Sequence, residues 1–223
     1  MILPMLQSDN AADDSVAGRI ARGLGERIVS GALAPGTPVR QDHVAAAFRA
    51  SHVPVREAFR VLEAQGLLIG MPRRGVRVAP LDAAAVQEVT EMRAALEALA
   101  LGHAFRRLQA GDLEEASRAL KEAQASSEIA VWERANRRFH RTITAPCAMP
   151  RLLAAIDALH QASARFLFAT WKALDWQPRS EREHVVILER LRDGDLEAAV
   201  LALRRHILDA GEALMERLGS GGR

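Results

Sequence analysis

The sequence has few of the features that mark secreted, disulfide-bonded or membrane proteins. Cys147 is its single cysteine, so no disulfide can form within the chain. No apolar run approaches the roughly 20 residues that a membrane-spanning helix needs. The opening segment MILPMLQ is too short for a signal peptide and lacks the basic region of one. We therefore expect a cytoplasmic protein that makes no contact with a membrane, with a disordered, acidic tail over residues 1–14.

Lysine is absent from residues 15–80, where arginine supplies all of the positive charge. This segment has ten arginines and four acidic side chains, whereas residues 81–223 have 20 basic and 21 acidic groups. A net charge of +6 beside a nearly neutral segment predicts that only residues 15–80 bind a polyanion. The choice of arginine favours two-pronged contacts with phosphate or guanine.

Residues 15–80 have the pattern of a winged helix-turn-helix domain. The predicted elements are a helix after Ser15, a helix at 41–48, a helix from Ser51, and strands at 67–69 and 76–78. The two strands form a hairpin whose connecting loop contains Arg73, Arg74 and Gly75. Three helices followed by such a hairpin predict a DNA-binding domain with a basic wing tip.

The third helix has two different faces. Ser51 suits an N-cap, and Val55, Phe59 and Leu62 form an apolar face, while His52, Arg56 and Arg60 follow one another every four residues on the opposite side. Basic residues on short helices often only face solvent, but the clustering of arginines here favours contacts with DNA. The residues predicted to contact DNA are Arg40, Ser51, His52, Arg56, Arg60, Arg73, Arg74 and Gly75.

Beyond residue 80 the pattern predicts helices only. We expect six, at about 82–109, 112–125, 128–145, 150–173, 179–192 and 195–218, followed by a flexible end at 219–223. Asp112 with Glu115 and Ser180 with Glu183 have the spacing of capping boxes. Such a segment can bury its apolar stripes only by packing helix on helix. The predicted fold class is mainly α, an N-terminal winged helix-turn-helix followed by an all-α bundle of six or seven helices.

Histidines on the predicted bundle indicate a metal site. His184 and His206 lie at about equal distances from Asp195 in the turn between the last two helices, so antiparallel packing places them at one level. Both lie on apolar faces. Asn136 and His140, four residues apart on another helix, are candidates for the remaining ligands. Three imidazoles and an amide oxygen would suit Zn²⁺, with Ni²⁺ or another borderline transition ion as alternatives.

A lone histidine on an apolar face is more often a hydrogen-bonded core residue than a ligand, and that alternative stays open for each of these residues. His43, His103 and His160 have no evident partners and are expected to be structural or surface groups. Arg93 adjoins an apolar stripe and is expected to pair with Glu97. An arginine beside a metal cavity is also a candidate for binding an acidic effector.

Two segments of residues 15–80, SHVPVREAFRVLEAQGLL and PRRGVRV, resemble the DNA-binding domain of the GntR family of bacterial transcription regulators. Three later segments resemble the FCD domain of one GntR subgroup, namely EVTEMRAALEALA, NRRFHRTI and REHVVILERLRDGDLEAAVLALRRHI. The resemblance implies a homodimer that binds a palindromic operator, with a bundle that holds a metal and a small organic acid. It also implies DNA contacts by Arg40 and Arg56, a wing-tip role for Gly75, and metal ligation by His140, His184 and His206.

Three residues depart from the family pattern. His52 stands where arginine is usual, Arg49 replaces a turn glycine, and Asn136 replaces an aspartate that ligates the metal. A left-handed backbone at Arg49 would cost about 1 kcal/mol. With neutral ligands only, a divalent ion would keep its full charge, which weakens its retention and strengthens its attraction for an anion.

The sequence therefore predicts a sequence-specific transcription regulator, expected to be a repressor, whose affinity for its operator depends on a carboxylate effector. Two alternatives stay open. One is a metal-dependent hydrolase, although no carboxylate is evidently placed as general base. The other is a regulator whose metal is purely structural. We expect no enzymatic activity.

Overall fold

The structure, a computed structural model, describes residues 15–71, 75–170 and 177–220. The chain divides into two compact units, one ending at Pro80 and the other beginning at Leu81. The predicted tail at 1–14 and the wing residues Arg73 and Arg74 lie outside the described residues. No helix in the described part of the chain is long and apolar enough to cross a membrane.

In its described residues, the first unit has three helices and three short strands. They are α1 (Val16–Val29), β1 (Pro38–Val39), α2 (Gln41–Phe48), α3 (His52–Ala64), β2 (Leu68–Met71) and β3 (Gly75–Val78). Ser15 begins α1 as predicted, because its hydroxyl oxygen accepts the Gly18 N–H at 2.9 Å. The turn from α2 to α3 passes through Arg49 at φ 50° and ψ 45°, which confirms the expected left-handed backbone there.

The predicted hairpin is part of a three-stranded antiparallel sheet. Its strand order is β1-β3-β2, and Leu68 pairs with Val78 at one end while Met71 pairs with Gly75 at the other. Pro38 and Val39 pair with Arg77 and Val76, a strand that the sequence does not predict. A two-residue strand is too short to show an apolar alternation, and the pairing forms only when β3 is in place.

The core of the first unit determines which face of α3 is exposed. Val55 and Leu62 are fully buried, together with Ile20 and Leu24 of α1 and Leu68 of β2. With its apolar stripe packed in this core, α3 turns the opposite stripe to solvent. The division into two faces agrees with the sequence analysis.

The second unit consists of α4 (Ala83–Ala104), α5 (Ala110–Gln124), α6 (Ile129–Thr144), α7 (Pro150–Thr170), α8 (Gln177–Arg192) and α9 (Leu196–Ser220). These helices, six in the residues that the structure describes, confirm the predicted mainly α class. Short 3-10 turns end α4 and α6, where the sequence predicts longer α-helices. α9 continues two residues beyond its predicted end, into the segment expected to be flexible.

Both predicted capping boxes are wrong in position. α5 begins at Ala110 with Gln109 as its N-cap, and Asp112 is the third residue of the helix, where its side chain accepts the N–H of Gln109 at 2.9 Å. α8 begins at Gln177, and Ser180 is a buried residue within it. In each case the helix starts up to one turn earlier than the nearest capping sequence suggests.

α4 and α9 approach closely where α9 has a glycine. A Cβ atom added at Gly211 would lie 2.4 Å from the side chain of Thr90, closer than atoms can pack. The absence of a side chain at Gly211 therefore allows α9 to lie directly against α4. The same two helices position Glu97 and His206.

Gly211→Ala is expected to lower the free energy of unfolding by about 1–3 kcal/mol, because Thr90 must move to admit the new methyl group. Chemical denaturation would measure the change, and adding Thr90→Ala should recover much of it. Gly102→Ala is the matched control, since Gly102 also lies within a helix but has open space around it. A Gly211→Ala protein as stable as the Gly102→Ala protein would contradict the tight packing.

Candidate functional site

The first candidate site is the exposed stripe of α3. His52, Arg56 and Arg60 are all exposed, as is Ser51 immediately before the helix. The hydroxyl of Ser51 makes no capping hydrogen bond, so it is available to an external partner. Val53, in the first turn, is 56 % exposed and adds an apolar surface beside the polar ones.

Three arginines on or near this stripe have no ion-pair partner in the described part of the chain. Within the described residues, no carboxylate forms an ion pair with Arg56 or Arg60, nor with Arg40, which is exposed at the start of α2. His52 lies 3.7 Å from Asp42 through its Nε2 atom. Exposed, unpaired guanidinium groups on one small domain are suited to phosphate contacts, since they need not break an internal pair to bind.

Only the base of the wing, at Met71 and Gly75, lies within the described residues. Gly75 is exposed at the first position of β3 and has φ 83°, a conformation that favours glycine. The part played by Arg73 and Arg74 stays a prediction, because both lie outside the described residues. The remaining predicted DNA contacts lie in one unit, on α3 or next to α2.

The second candidate site is a histidine cluster buried in the helical unit. His140 of α6, His184 of α8 and His206 of α9 are 1 %, 2 % and 5 % exposed. One ring nitrogen from each lies within 4.8 Å of the others. The ring centroids of His184 and His206 are 4.3 Å apart, as expected for two histidines at one level of an antiparallel helix pair.

The donor atoms fit a transition metal ion. The Nε2 atoms of His140 and His184 are 3.2 Å apart, and two ligands on tetrahedral zinc with bonds of 2.0–2.1 Å would be separated by about 3.4 Å. Asn136, one turn before His140, has a buried Oδ1 atom that finds no hydrogen-bond partner among the described residues. A buried amide oxygen without a donor is destabilising unless another group binds it.

Burial keeps the imidazoles neutral. Desolvation lowers the pKa of His140 and His206, and it lowers the pKa of His184 well below its usual value because the other two histidines add to the effect. A neutral imidazole has one free lone pair, which is the form that binds a metal. The cluster is therefore chemically ready to ligate an ion near neutral pH.

Glu97 and His160 are polar groups of this region that the sequence analysis missed as site residues. Glu97 is fully buried, and its carboxylate lies 2.7 Å from His140 Nδ1 and 3.2 Å from His160 Nε2. The expectation that His160 has no partners is wrong. His160 is on α7, which meets α4 only in the folded bundle, so no local spacing indicated the contact.

Arg93 pairs with Glu97, as expected from their spacing. Its Nε atom donates to the carboxylate at 2.9 Å and its NH1 atom donates to Ser163 at 3.2 Å. Although burial alone would raise the pKa of Glu97, Arg93 and the neighbouring histidines hold that pKa well below its usual range. Glu97 is therefore a carboxylate surrounded by donors.

Glu97, His140 and His160 form a second group with the spacing of metal ligands. The guanidinium of Arg93 lies within this group, because it bonds to Glu97 and approaches His160 to 3.5 Å. A divalent ion there would meet that positive charge directly. The three-histidine group has no such cation among its members and is the better metal site.

His206 has a carboxylate partner of its own. Its Nδ1 atom lies 2.9 Å from Glu183, and Glu183 in turn accepts a hydrogen bond from Arg179 at 2.7 Å. Although partial burial alone would raise the pKa of Glu183, hydrogen bonds from His206 and Arg179 lower it. From the sequence, Glu183 is expected only as a member of a helix-capping box.

A winged helix-turn-helix with an exposed arginine stripe, followed by an all-helical unit with a buried histidine cluster, is the arrangement of a DNA-binding regulator of transcription. Comparison with family models agrees. Residues 16–78 match the model of bacterial regulatory proteins of the gntR family, and residues 88–209 match the model of the FCD domain. The chain belongs to the GntR family and has an FCD domain. It is a transcriptional regulator and not an enzyme.

Curated relatives and solved structures support the same conclusion. The chain is 31 % identical to a probable D-xylose utilization operon transcriptional repressor of Paenarthrobacter nicotinovorans, over 86 % of each protein. It is also similar to the crystal structure of a GntR family regulator from Pseudomonas syringae pv. tomato, with 30 % identity, a TM-score of 0.60, and coverage of 92 % of this chain and 87 % of that one. Escherichia coli McbR/YncC shares the fold, with a TM-score of 0.79 at 22 % identity and coverage of 92 % and 99 %.

Proposed function

We propose that this regulator is a cytoplasmic homodimeric repressor whose affinity for a palindromic operator changes when a small carboxylic acid binds beside a metal in its FCD domain. The observation that carries the proposal is the meeting of His140, His184 and His206, each from a different helix, around one buried point. The unpaired arginines of the first unit supply a separate surface for DNA.

The proposed metal ligands are Asn136, His140, His184 and His206, and Zn²⁺ is the preferred ion with Ni²⁺ as an alternative. All four donors are neutral. When bound, a divalent ion would supply a positive charge that attracts a carboxylate. Burial of the cluster strengthens that attraction, because charges interact more strongly away from water.

Arg93 is the proposed protein contact for the effector. Its side chain is 11 % exposed and lies beside the histidine cluster, linked to it through Glu97. Its Nε atom bonds to Glu97, its NH1 atom bonds to Ser163, and its NH2 atom lies 3.5 Å from His160. An acid could accept hydrogen bonds from the N–H groups that these three contacts leave over, since a guanidinium has five. The arginine would favour an anion over a neutral ligand of the same shape.

Two copies of the chain would be needed to read a palindrome, since each winged unit contacts one half-site. The exposed face of α4 supports a homodimer, because Met92 and Leu99, two turns apart, are 45 % and 48 % exposed. Effector binding that changes the arrangement of the two winged units would change operator affinity. The coupling is reciprocal, so DNA would also change affinity for the acid.

The proposal is tested by fluorescence anisotropy with a DNA fragment from the promoter of the protein's own gene. We expect binding that weakens steeply with salt, and an affinity shift of about 5- to 150-fold when the correct acid is added to metal-loaded protein. Thermal-shift screening of organic acids, with and without Zn²⁺, would find the acid. If no acid changes either property while Zn²⁺ still binds, the metal is purely structural.

A further inference from the structure

Two of the three clustered histidines are bonded at the same ring nitrogen by a carboxylate from another helix. Glu97 of α4 lies 2.7 Å from Nδ1 of His140 on α6, and Glu183 of α8 lies 2.9 Å from Nδ1 of His206 on α9. Glu97 is fully buried, and the side chain of Glu183 is 23 % exposed. The two pairs approach the cluster from different helices.

This arrangement determines which ring nitrogen carries the lone pair that can bind a metal. A neutral imidazole has one N–H, and a carboxylate at Nδ1 holds that hydrogen there because an ionised carboxylate can only accept. The lone pair is then at Nε2. In His140 the Nε2 atom is the one that faces His184, at 3.2 Å from its Nε2.

An arginine supports each carboxylate. Arg93 donates to Glu97 at 2.9 Å and Arg179 donates to Glu183 at 2.7 Å, so both chains run from guanidinium to carboxylate to imidazole. Arg93 also bonds to Ser163 of α7. The carboxylates are thereby fixed in position, and rotation of the histidine rings would break charge-assisted hydrogen bonds.

We propose that Glu97 and Glu183 are positioning residues for the metal centre, which hold His140 and His206 as Nε2 ligands and supply the nearby negative charge that Asn136 does not. The inference rests on the metal centre of the proposed function. Carboxylates that accept the second N–H of a ligating histidine orient the ring and increase its basicity, and their removal typically costs 10- to 100-fold in metal affinity.

The test compares Zn²⁺ affinity, measured by competition with a chromophoric chelator, in wild-type protein, Glu97→Gln and Glu183→Gln. Glutamine keeps the size of the side chain and removes its charge. We expect each variant to bind Zn²⁺ about 10- to 100-fold more weakly. Glu115→Gln is the matched control, because Glu115 is a partly exposed carboxylate on α5 that pairs with Arg118 and Arg138. Its affinity should equal that of the wild type.

A second readout separates positioning from general stabilisation. Long-range ¹H–¹⁵N NMR of the imidazoles should show His140 and His206 protonated at Nδ1 in the metal-free wild type. The population protonated at Nε2 should rise for His140 in Glu97→Gln and for His206 in Glu183→Gln. Loss of fold alone would not change one histidine selectively.

Glu97→Gln leaves the buried Arg93 without its partner, so Arg93→Met with Glu97→Gln provides a variant in which both charges are removed. Glu183→Gln, at a partly exposed position, tests the idea independently. The inference is overturned if the folded variants bind Zn²⁺ as tightly as the wild type, or if the wild-type rings are protonated at Nε2. Either result would leave the proposed metal centre itself standing. A wild-type protein that binds no Zn²⁺ would instead contradict the metal centre itself.

Discussion

Arg56→Ala is expected to abolish specific operator binding while the protein stays folded. Arg56 is exposed on α3, has no carboxylate partner within the described residues, and lies one turn after the exposed first turn of the helix. A two-pronged arginine contact contributes about 1–3 kcal/mol. Because a dimer would lose it in both half-sites, the loss is about 2–6 kcal/mol, or roughly 30-fold to more than 10⁴-fold in affinity.

The measurement is a fluorescence anisotropy titration with the promoter fragment, at several salt concentrations. Arg151→Ala is the matched control, since Arg151 is an exposed arginine in the first turn of α7 in the other unit. Arg151→Ala removes the same charge, and it should leave unchanged both the operator affinity and the dependence of that affinity on salt concentration. The role assigned to Arg56 fails if both variants bind alike while circular dichroism shows both folded.

Changing His184 and His206 together to alanine should eliminate stoichiometric metal binding and leave DNA binding intact. Two of the three imidazoles at the buried point would be gone, and the remaining His140 and Asn136 are too few to complete a tetrahedral site. In wild-type protein, Zn²⁺ at 100 times its dissociation constant would stabilise the fold by about 2.7 kcal/mol. The double variant should show no stabilisation.

Metal content by elemental analysis and thermal unfolding with and without Zn²⁺ would measure this effect. His103→Ala is the matched control, because His103 is an exposed histidine of α4 outside the cluster. Asn136→Asp should change metal affinity in the opposite direction, since it adds a negative charge without removing a ligand. If the double variant still binds one ion per chain, the site lies elsewhere.

The helices could be predicted from the sequence because the sequence features that indicate a helix are local. A four-residue apolar repeat, an N-cap and a terminating glycine act within one helix, and the division of α3 into an apolar and a basic face follows from its own residues. The first residue of each helix was harder to predict. Asp112 and Ser180 have good capping spacing, yet α5 begins at Ala110 with Gln109 as its N-cap, and α8 begins at Gln177. Because one cap contributes only about 1 kcal/mol, capping spacing alone does not determine where a helix begins.

The meeting of the two histidines on α8 and α9 could be predicted from the sequence for a geometric reason. A short turn centred on Asp195 makes the two helices antiparallel neighbours, so equal distances from the turn place His184 and His206 at equal height. The structure confirms that their rings meet, at 4.3 Å between centroids. The spacing of Asn136 and His140 made His140 a candidate for a remaining ligand, and the resemblance to the FCD domain implied the same. Which helix packs beside the pair is decided only in the folded bundle.

The sequence by itself determined the helix faces, the arginine-rich surface of α3, the order of the elements and the family, because these depend on residues that are near one another along the chain. Only the tertiary structure decided that Glu97 bonds to His140, that His160 joins the same buried group, and that Glu183 holds His206. Those contacts join residues 43, 63 and 23 positions apart. They form only after the helices pack, when burial makes each carboxylate and imidazole require a hydrogen-bonding partner.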